Sequence, residues 1–180
     1  MMYKFTTKTG KEITIRQPKM SDLKATLKYI NKLSKERTFI TVQGEQRTLK
    51  EEREYIAGFI KNDKKKKGVH LMAFHKKELI SLTGIDLHNN VENHIGEYGI
   101  AVAKDFRSVG FGKLMTKLIL AEAKKEIRGL KIVQLKAFSI NKRAINLYKK
   151  SGFKEYGRLP KGILYKGKYI DDILMYKNIR

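Results

Sequence analysis

The sequence predicts a mixed α/β sheet with helices on both faces, and three observations carry that prediction. An apolar run at 99–103 leads through a glycine-rich junction into a helix-like run reaching Ile127, and a second apolar run follows at 131–138. A strand, a crossover helix and a second strand imply parallel pairing with a right-handed connection. Two further strand-like runs, 69–74 and 78–85, are separated by Lys76 and Lys77, the pattern of an antiparallel pair around a short turn. With 180 residues and neither repeat nor linker, the chain is expected to be one domain, 1–180, large enough to bury a core without staples.

The elements read as follows along the chain. Residues 12–16 alternate in polarity as a half-buried strand does, and Pro18, Ser21 and Asp22 announce a helix that runs to about Leu33. After a mixed stretch, Thr48 and Glu51 form a capping-box pattern at the head of a helix through Tyr55, Ile56, Phe59 and Ile60. The two antiparallel strands come next, then a strand over 94–103. The long helix from Gly110 carries Phe111, Leu114, Met115, Leu118 and Ile119 on one face and ends near Gly129. After the strand at 131–138, closing strands at 153–156 and 169–175 are joined around Lys166 and Gly167.

The junction Arg107-Ser108-Val109-Gly110-Phe111-Gly112 is the most informative segment. The first amides of a helix have no intrahelical partner and lie at the positive end of its dipole, so a diphosphate fits there. Gly110 and Gly112 remove the Cβ atoms that would hold a ligand off those amides. Two commoner glycine loops do not match. A P-loop needs Ser or Thr after Gly-Lys, where Leu114 stands, and a dinucleotide fingerprint needs a third glycine, where Met115 stands. A glycine-softened turn without a ligand is the plain alternative.

One strand further on, Asn141 to Phe153 reads as a short capped helix. Asn141 is a favoured N-cap residue, and Gly152 suits the left-handed residue that follows a helix. Asn141, Ala144 and Tyr148, three and four apart, put an amide, a small gap and a phenol on one face. A core tyrosine would explain Tyr148 alone, but it leaves the polar Asn141 and the small Ala144 without a purpose.

The R-x-x-G-x-G junction and the N-x-x-A-x-x-L-Y-x-K-x-G-F run, in this order with one strand between them, resemble the GCN5-related N-acetyltransferase (GNAT) family. The resemblance extends to Gly157, Leu159, the run Gly167-Lys-Tyr169-Ile-Asp171 and Met175, which are similar to the ending of the spermidine and ribosomal-protein acetyltransferase branches. It also covers Glu97, Gly99, Ile100 and Val102 in the preceding strand. The resemblance implies a mostly antiparallel sheet with one splayed parallel strand pair. It further implies transfer of an acetyl group from acetyl-CoA to a primary amine, on a small molecule, polyamine or protein, by direct attack in a ternary complex.

Composition bounds the other readings. With no cysteine, a thiol nucleophile, a disulfide framework and a thiolate zinc site are excluded. His70, His75, His88 and His94 lack a tight ligand spacing, so no metal is expected. No apolar stretch approaches the roughly 20 residues that span a bilayer, which leads us to expect a cytoplasmic protein without a membrane partner. A homodimer is left open. The net charge of +22 suits polyanions, and a nucleic-acid-binding module is one alternative to an enzyme. The basic residues are nevertheless spread along the chain, and the dense run at 64–67 looks like a solvated loop with little aromatic interleaving. Nucleic acid is therefore not the expected partner. A non-catalytic acetyl-CoA sensor is a second alternative, against which Tyr148 and Asn141 argue.

Acyl transfer needs the cofactor held, the amine neutral, the oxyanion stabilised and the departing thiolate protonated. Amides across Arg107, Ser108, Val109, Gly110, Phe111 and Gly112 are expected to hold the diphosphate, with charge from Arg107 and Lys113. The resemblance implies that the pantetheine arm pairs with backbone at Ile100, Ala101 and Val102, that Asn141 binds the arm from the far side, and that Asn146 belongs to the cofactor site. An N–H near Val102 is the expected oxyanion donor. Tyr148 is the expected general acid, since an unperturbed phenol with a pKa of about 10 is protonated at neutral pH. Glu97 is the best-placed carboxylate for a base, and an ordinary salt bridge is an equal alternative. The ribosomal N-terminal-acetylating branch has a glutamate where this chain has Lys136, which weakens that reading. Glu45, Glu51, Glu52 and Glu54 offer a modest acidic cluster for a polycationic acceptor.

Overall fold

The computed structural model describes residues 2–7 and 10–179. Its strands are β1 (Met2–Thr6), β2 (Glu12–Arg16), β3 (Gly68–His75), β4 (Glu78–Leu87), β5 (Ile95–Val102), β6 (Ile132–Phe138), β7 (Lys154–Tyr165) and β8 (Lys168–Asn178). They form one sheet in the order β1-β2-β3-β4-β5-β6-β8-β7. Only β5 and β6 pair in parallel; the other neighbours are antiparallel. The long connection between β5 and β6 is the crossover helix that parallel pairing demands.

Four helices, α1 (Leu23–Lys35), α2 (Leu49–Lys64), α3 (Phe111–Glu126) and α4 (Lys142–Lys150), cover the sheet on two faces. Alternation along the strands separates those faces. Leu71 and Met72, neighbours on β3, enter different apolar clusters. Leu71 packs with Phe111, Met115 and Ile119 of α3 and Ile145 and Tyr148 of α4, whereas Met72 packs with Tyr29 and Leu33 of α1. Met115 and Ile119 are fully buried, and such side chains contribute roughly 1.5–3 kcal/mol each. Thr48 and Glu51 close the capping box at the head of α2.

Two strands exceed the expectation. β1 was not predicted; it is an edge strand whose residues are mostly exposed, so no apolar alternation marks it. β7 runs to Tyr165 rather than ending at Tyr156 because it crosses Gly157, Pro160 and Gly162 with register shifts, and those residues disguise a bulged edge strand as a loop. Its hairpin to β8 turns at Lys166 and Gly167, both at positive φ (49° and 73°), as a two-residue turn requires.

Candidate active site

The pairing of β5 with β6 covers only three residue pairs, from Ile95 with Ile132 to Glu97 with Gln134. β5 continues to Val102 and β6 to Phe138 without each other, while β4 stays paired with β5 as far as Val102. The two parallel strands therefore splay, leaving one edge of β5 open. Ala103 N–H donates to Ile80 O (2.8 Å), and the Ser81 and Thr83 hydroxyls donate to the carbonyls of Ala101 and Gly99. Since hydrogen-bonding direction alternates along a strand, Ile100 and Val102 turn their backbone groups to the open side.

β5 leads into the glycine junction. Gly110 is the N-cap residue of α3 at φ 80°, and Ser108 also has positive φ (67°). Leu114 N–H makes the first helical bond to Gly110 O (3.2 Å), so the amides of Phe111, Gly112 and Lys113 precede the ladder. A Cβ on Gly112 would sit 3.4 Å from Leu147 of α4, in ordinary contact, so the packing of α3 on α4 tolerates a Cβ here.

The far wall is α4. Asn141 caps it through Oδ1, which accepts from Ala144 N–H (3.2 Å), leaving Nδ2 as the donor it can offer a ligand. Gly152 follows the helix at φ 87°. Tyr148 is buried and packs edge-on against Tyr98 and Phe153. Burial pushes its phenol up to a pKa of about 12. Between these walls lies a cavity of about 630 Å³, within the usual range for small-molecule sites.

Of the residues singled out in the sequence, Ile100, Ala101, Val102, Arg107, Ser108, Gly110, Gly112, Lys113, Asn141 and Tyr148 line this cavity. Phe111 buries its ring in the core, so only its amide reaches the junction. Val109 is exposed and lies outside the lining, as does Asn146 on the solvent side of α4. Glu97 is also outside it. Tyr98 points to α3, where its hydroxyl meets Thr116 Oγ1 (2.8 Å), so Glu97 faces the opposite side of the sheet. There it accepts from Gln134 Nε2 (3.0 Å), with His88 at 3.7 Å.

The arginine is engaged internally. Arg107 Nε donates to Val102 O and its Nη2 donates to Glu36 Oε2, both at 2.7 Å. Three of the four acidic residues are engaged locally: Glu52 is buried against Arg47 (2.9 Å), Glu51 caps α2, and Glu45 accepts from the Gln43 amide, while Glu54 is exposed on α2. The lining also includes Thr38, Phe39 and Ile40 from the α1–α2 connection, a mixed stretch in the sequence. The pair Phe39-Ile40, apolar within polar surroundings, was the available signal. Phe39 meets Phe138 edge-on and lies tilted against Tyr165 at centroid distances of 5.9 and 5.5 Å, which seats the connection over the splayed strands.

A splayed parallel pair thus opens onto a glycine-capped helix across from Tyr148. The profile of the acetyltransferase (GNAT) family matches residues 30–153, and the chain belongs to that family. Among solved structures it is similar to a GNAT-family acetyltransferase from Streptococcus pneumoniae (26% identity, TM-score 0.84, covering 93% of this chain and 99% of that one). It also shares its fold with a ribosomal-protein-alanine N-acetyltransferase from Brucella melitensis (20%, TM-score 0.78, 92% and 99%). A third is a phosphinothricin acetyltransferase from Sinorhizobium meliloti solved with acetyl-CoA (15%, TM-score 0.80, 93% and 88%). No curated protein matches the chain by sequence.

Proposed function

We propose that this protein moves an acetyl group from acetyl-CoA to a primary amine, the two substrates reacting directly in a ternary complex within one domain. The observation that carries the reading is the open edge of β5 running into the Gly110 cap, with Tyr148 on the facing wall. The diphosphate sits on the amides of 110–113 with Lys113 beside it, and the pantetheine arm pairs with the backbone of Ile100 in place of the missing strand, since Val102 O is already held by Arg107.

The amine nitrogen attacks the thioester carbonyl, and Val102 N–H stabilises the oxyanion. When the adduct collapses, the C–S bond breaks and Tyr148 gives its proton to the sulfur. The resulting phenolate, whose acid has a pKa of about 12, is reprotonated from solvent, to which the acceptor of the amine proton returns its own. The proton shed by the attacking nitrogen balances the reaction. Glu97 is the candidate to receive it, acting from the sheet face that α1 and α2 share; its bond to Gln134 fixes its direction. Glu45, Glu51 and Glu52 are already engaged within the fold and leave Glu54 as a single exposed carboxylate of the four, so they offer no free cluster for a polycation.

Thermal unfolding with and without CoA tests the cofactor site, because a ligand that binds only the folded state raises the melting temperature. Acetyl-CoA consumption over polyamines, amino acids, aminoglycosides and peptides then identifies the acceptor. A shift with CoA followed by turnover with one amine class is the expected result. No shift contradicts the reading.

A further inference from the structure

Arg107 opens the diphosphate loop, yet its guanidinium faces inward. It holds Val102 O and Glu36 Oε2 at 2.7 Å each, and the side chains of Arg107 and Glu36 are only 24% and 20% exposed. Such a pair is screened less than a surface ion pair. Glu36 is the C-cap residue of α1, and the chain runs from it directly into Thr38, Phe39 and Ile40 of the cavity wall. The ion pair thus joins the donor loop to the connection that lies over the cavity.

A third polar group lies on the same face of α1, two turns before Glu36. Tyr29 of α1 is 6% exposed, and its hydroxyl has no hydrogen-bond partner among the described residues. Burial raises its ionisation above the ordinary phenol range, the Arg107 charge and the nearby Leu82 backbone amide oppose that rise, and the Glu36 charge adds to it; an amide beside the phenol oxygen still leaves the O–H without an acceptor. A buried hydroxyl without an acceptor costs about 1–3 kcal/mol, so this arrangement leaves one group unsatisfied. A diphosphate beside Arg107 would compete with Glu36 for the same guanidinium N–H groups, and Arg favours bidentate oxyanions.

We propose that Glu36 is an exchange contact shared by Arg107 and Tyr29: a bound diphosphate draws the Arg107 guanidinium, and the freed Glu36 carboxylate accepts the Tyr29 hydroxyl. The exchange satisfies the orphaned phenol and re-seats the start of the 36–40 segment as the cofactor arrives. Glu36 and Tyr29 are then positioning residues, outside the cavity lining, that set cofactor affinity and couple it to the acceptor-side wall. The inference rests on the acetyl-CoA reading of the site.

Calorimetric titration of CoA into the wild type, Tyr29→Phe and Glu36→Gln tests it. Tyr29→Phe keeps the ring and removes the hydroxyl. It should weaken CoA binding about tenfold, the loss of one bond to a charged acceptor, while the melting temperature without ligand stays unchanged or rises. Glu36→Gln keeps an acceptor for the hydroxyl but removes the charge that competes with the diphosphate, and it should tighten CoA binding. Opposite changes in affinity are the signature of exchange. Unchanged CoA affinity in Tyr29→Phe, or parallel losses of affinity and unliganded stability in both variants, would overturn it. A wild type that binds no CoA overturns the cofactor site itself, and the exchange with it.

Discussion

At Tyr148 burial raises the pKa to about 12, so the phenol stays protonated throughout the neutral range and can act as an acid without a partner to hold its proton. Tyr148→Phe keeps the ring contacts with Tyr98 and Phe153. Steady-state kinetics should show kcat lowered by about 100-fold or more, while the CoA-induced melting shift persists. Wild-type turnover in that variant contradicts the assignment. Gly110 and Gly112 separate two uses of glycine in one loop. A Cβ on Gly110 meets nothing within 4 Å, but φ is 80°, so Gly110→Ala should cost about 1–2 kcal/mol from conformation alone. Gly112 has no positive φ, and its Cβ would meet Leu147 at 3.4 Å; its alanine variant should cost less in denaturant unfolding. Asn141→Ala removes the α4 cap, an expected loss of about 1 kcal/mol.

Between elements, His70 ties α2 to the sheet. Its Nδ1 lies 2.7 Å from Asp63 Oδ1 and its Nε2 3.0 Å from Asp86 Oδ2, while the ring stacks on Phe59. Two carboxylate partners require the doubly protonated ring. Burial pushes the imidazole down, but the bonds to Asp63 and Asp86 outweigh it and hold its pKa above the ordinary value. This stabilisation is therefore complete below about pH 6.5 and is lost as pH rises through the raised folded-state value. Asp86 is desolvated too, yet the His70 bond holds its carboxyl low, so its share is present above about pH 3.9 and lost on acidification. Melting curves against pH should show the alkaline decline in the wild type and a flatter profile in His70→Gln. None of this was legible in the sequence, where His70 and Asp86 are 16 residues apart and Gly84, which makes room for the ring, reads as an ordinary strand residue. The caps at Thr48 and Asn141 and the β5-to-α3 junction were legible, because each is a local pattern whose chemistry is complete within a few residues. Internal pairing of Arg107 and the facing of Glu97 were not, since both depend on which distant element closes over the strand.

For the whole molecule, the charge of +22 is spread over the surface, and basic residues line more than one opening, two of which compete as the anion site. The larger, about 780 Å³, is lined by Lys65, Lys66, Lys67, Lys125 and Arg128 near the C-terminal end of α3. The cavity of about 630 Å³ lies at the N-terminal end, some 24 Å away for a helix of 16 residues. Size favours the first; unpaired amides, the open strand edge and Tyr148 favour the second. Helix C-termini also attract cations for their own dipole, which accounts for Lys124 and Lys125 in the last turn of α3 without a ligand. An anionic cofactor approaching a protein of this charge should associate more slowly as salt rises, which stopped-flow binding of CoA would register. Amide hydrogen exchange with and without acetyl-CoA tests the central claim most directly. The account predicts new protection at Ile100, Val102 and residues 110–113; protection confined to the cleft at Lys65 to Lys67, or none at β5, would contradict it.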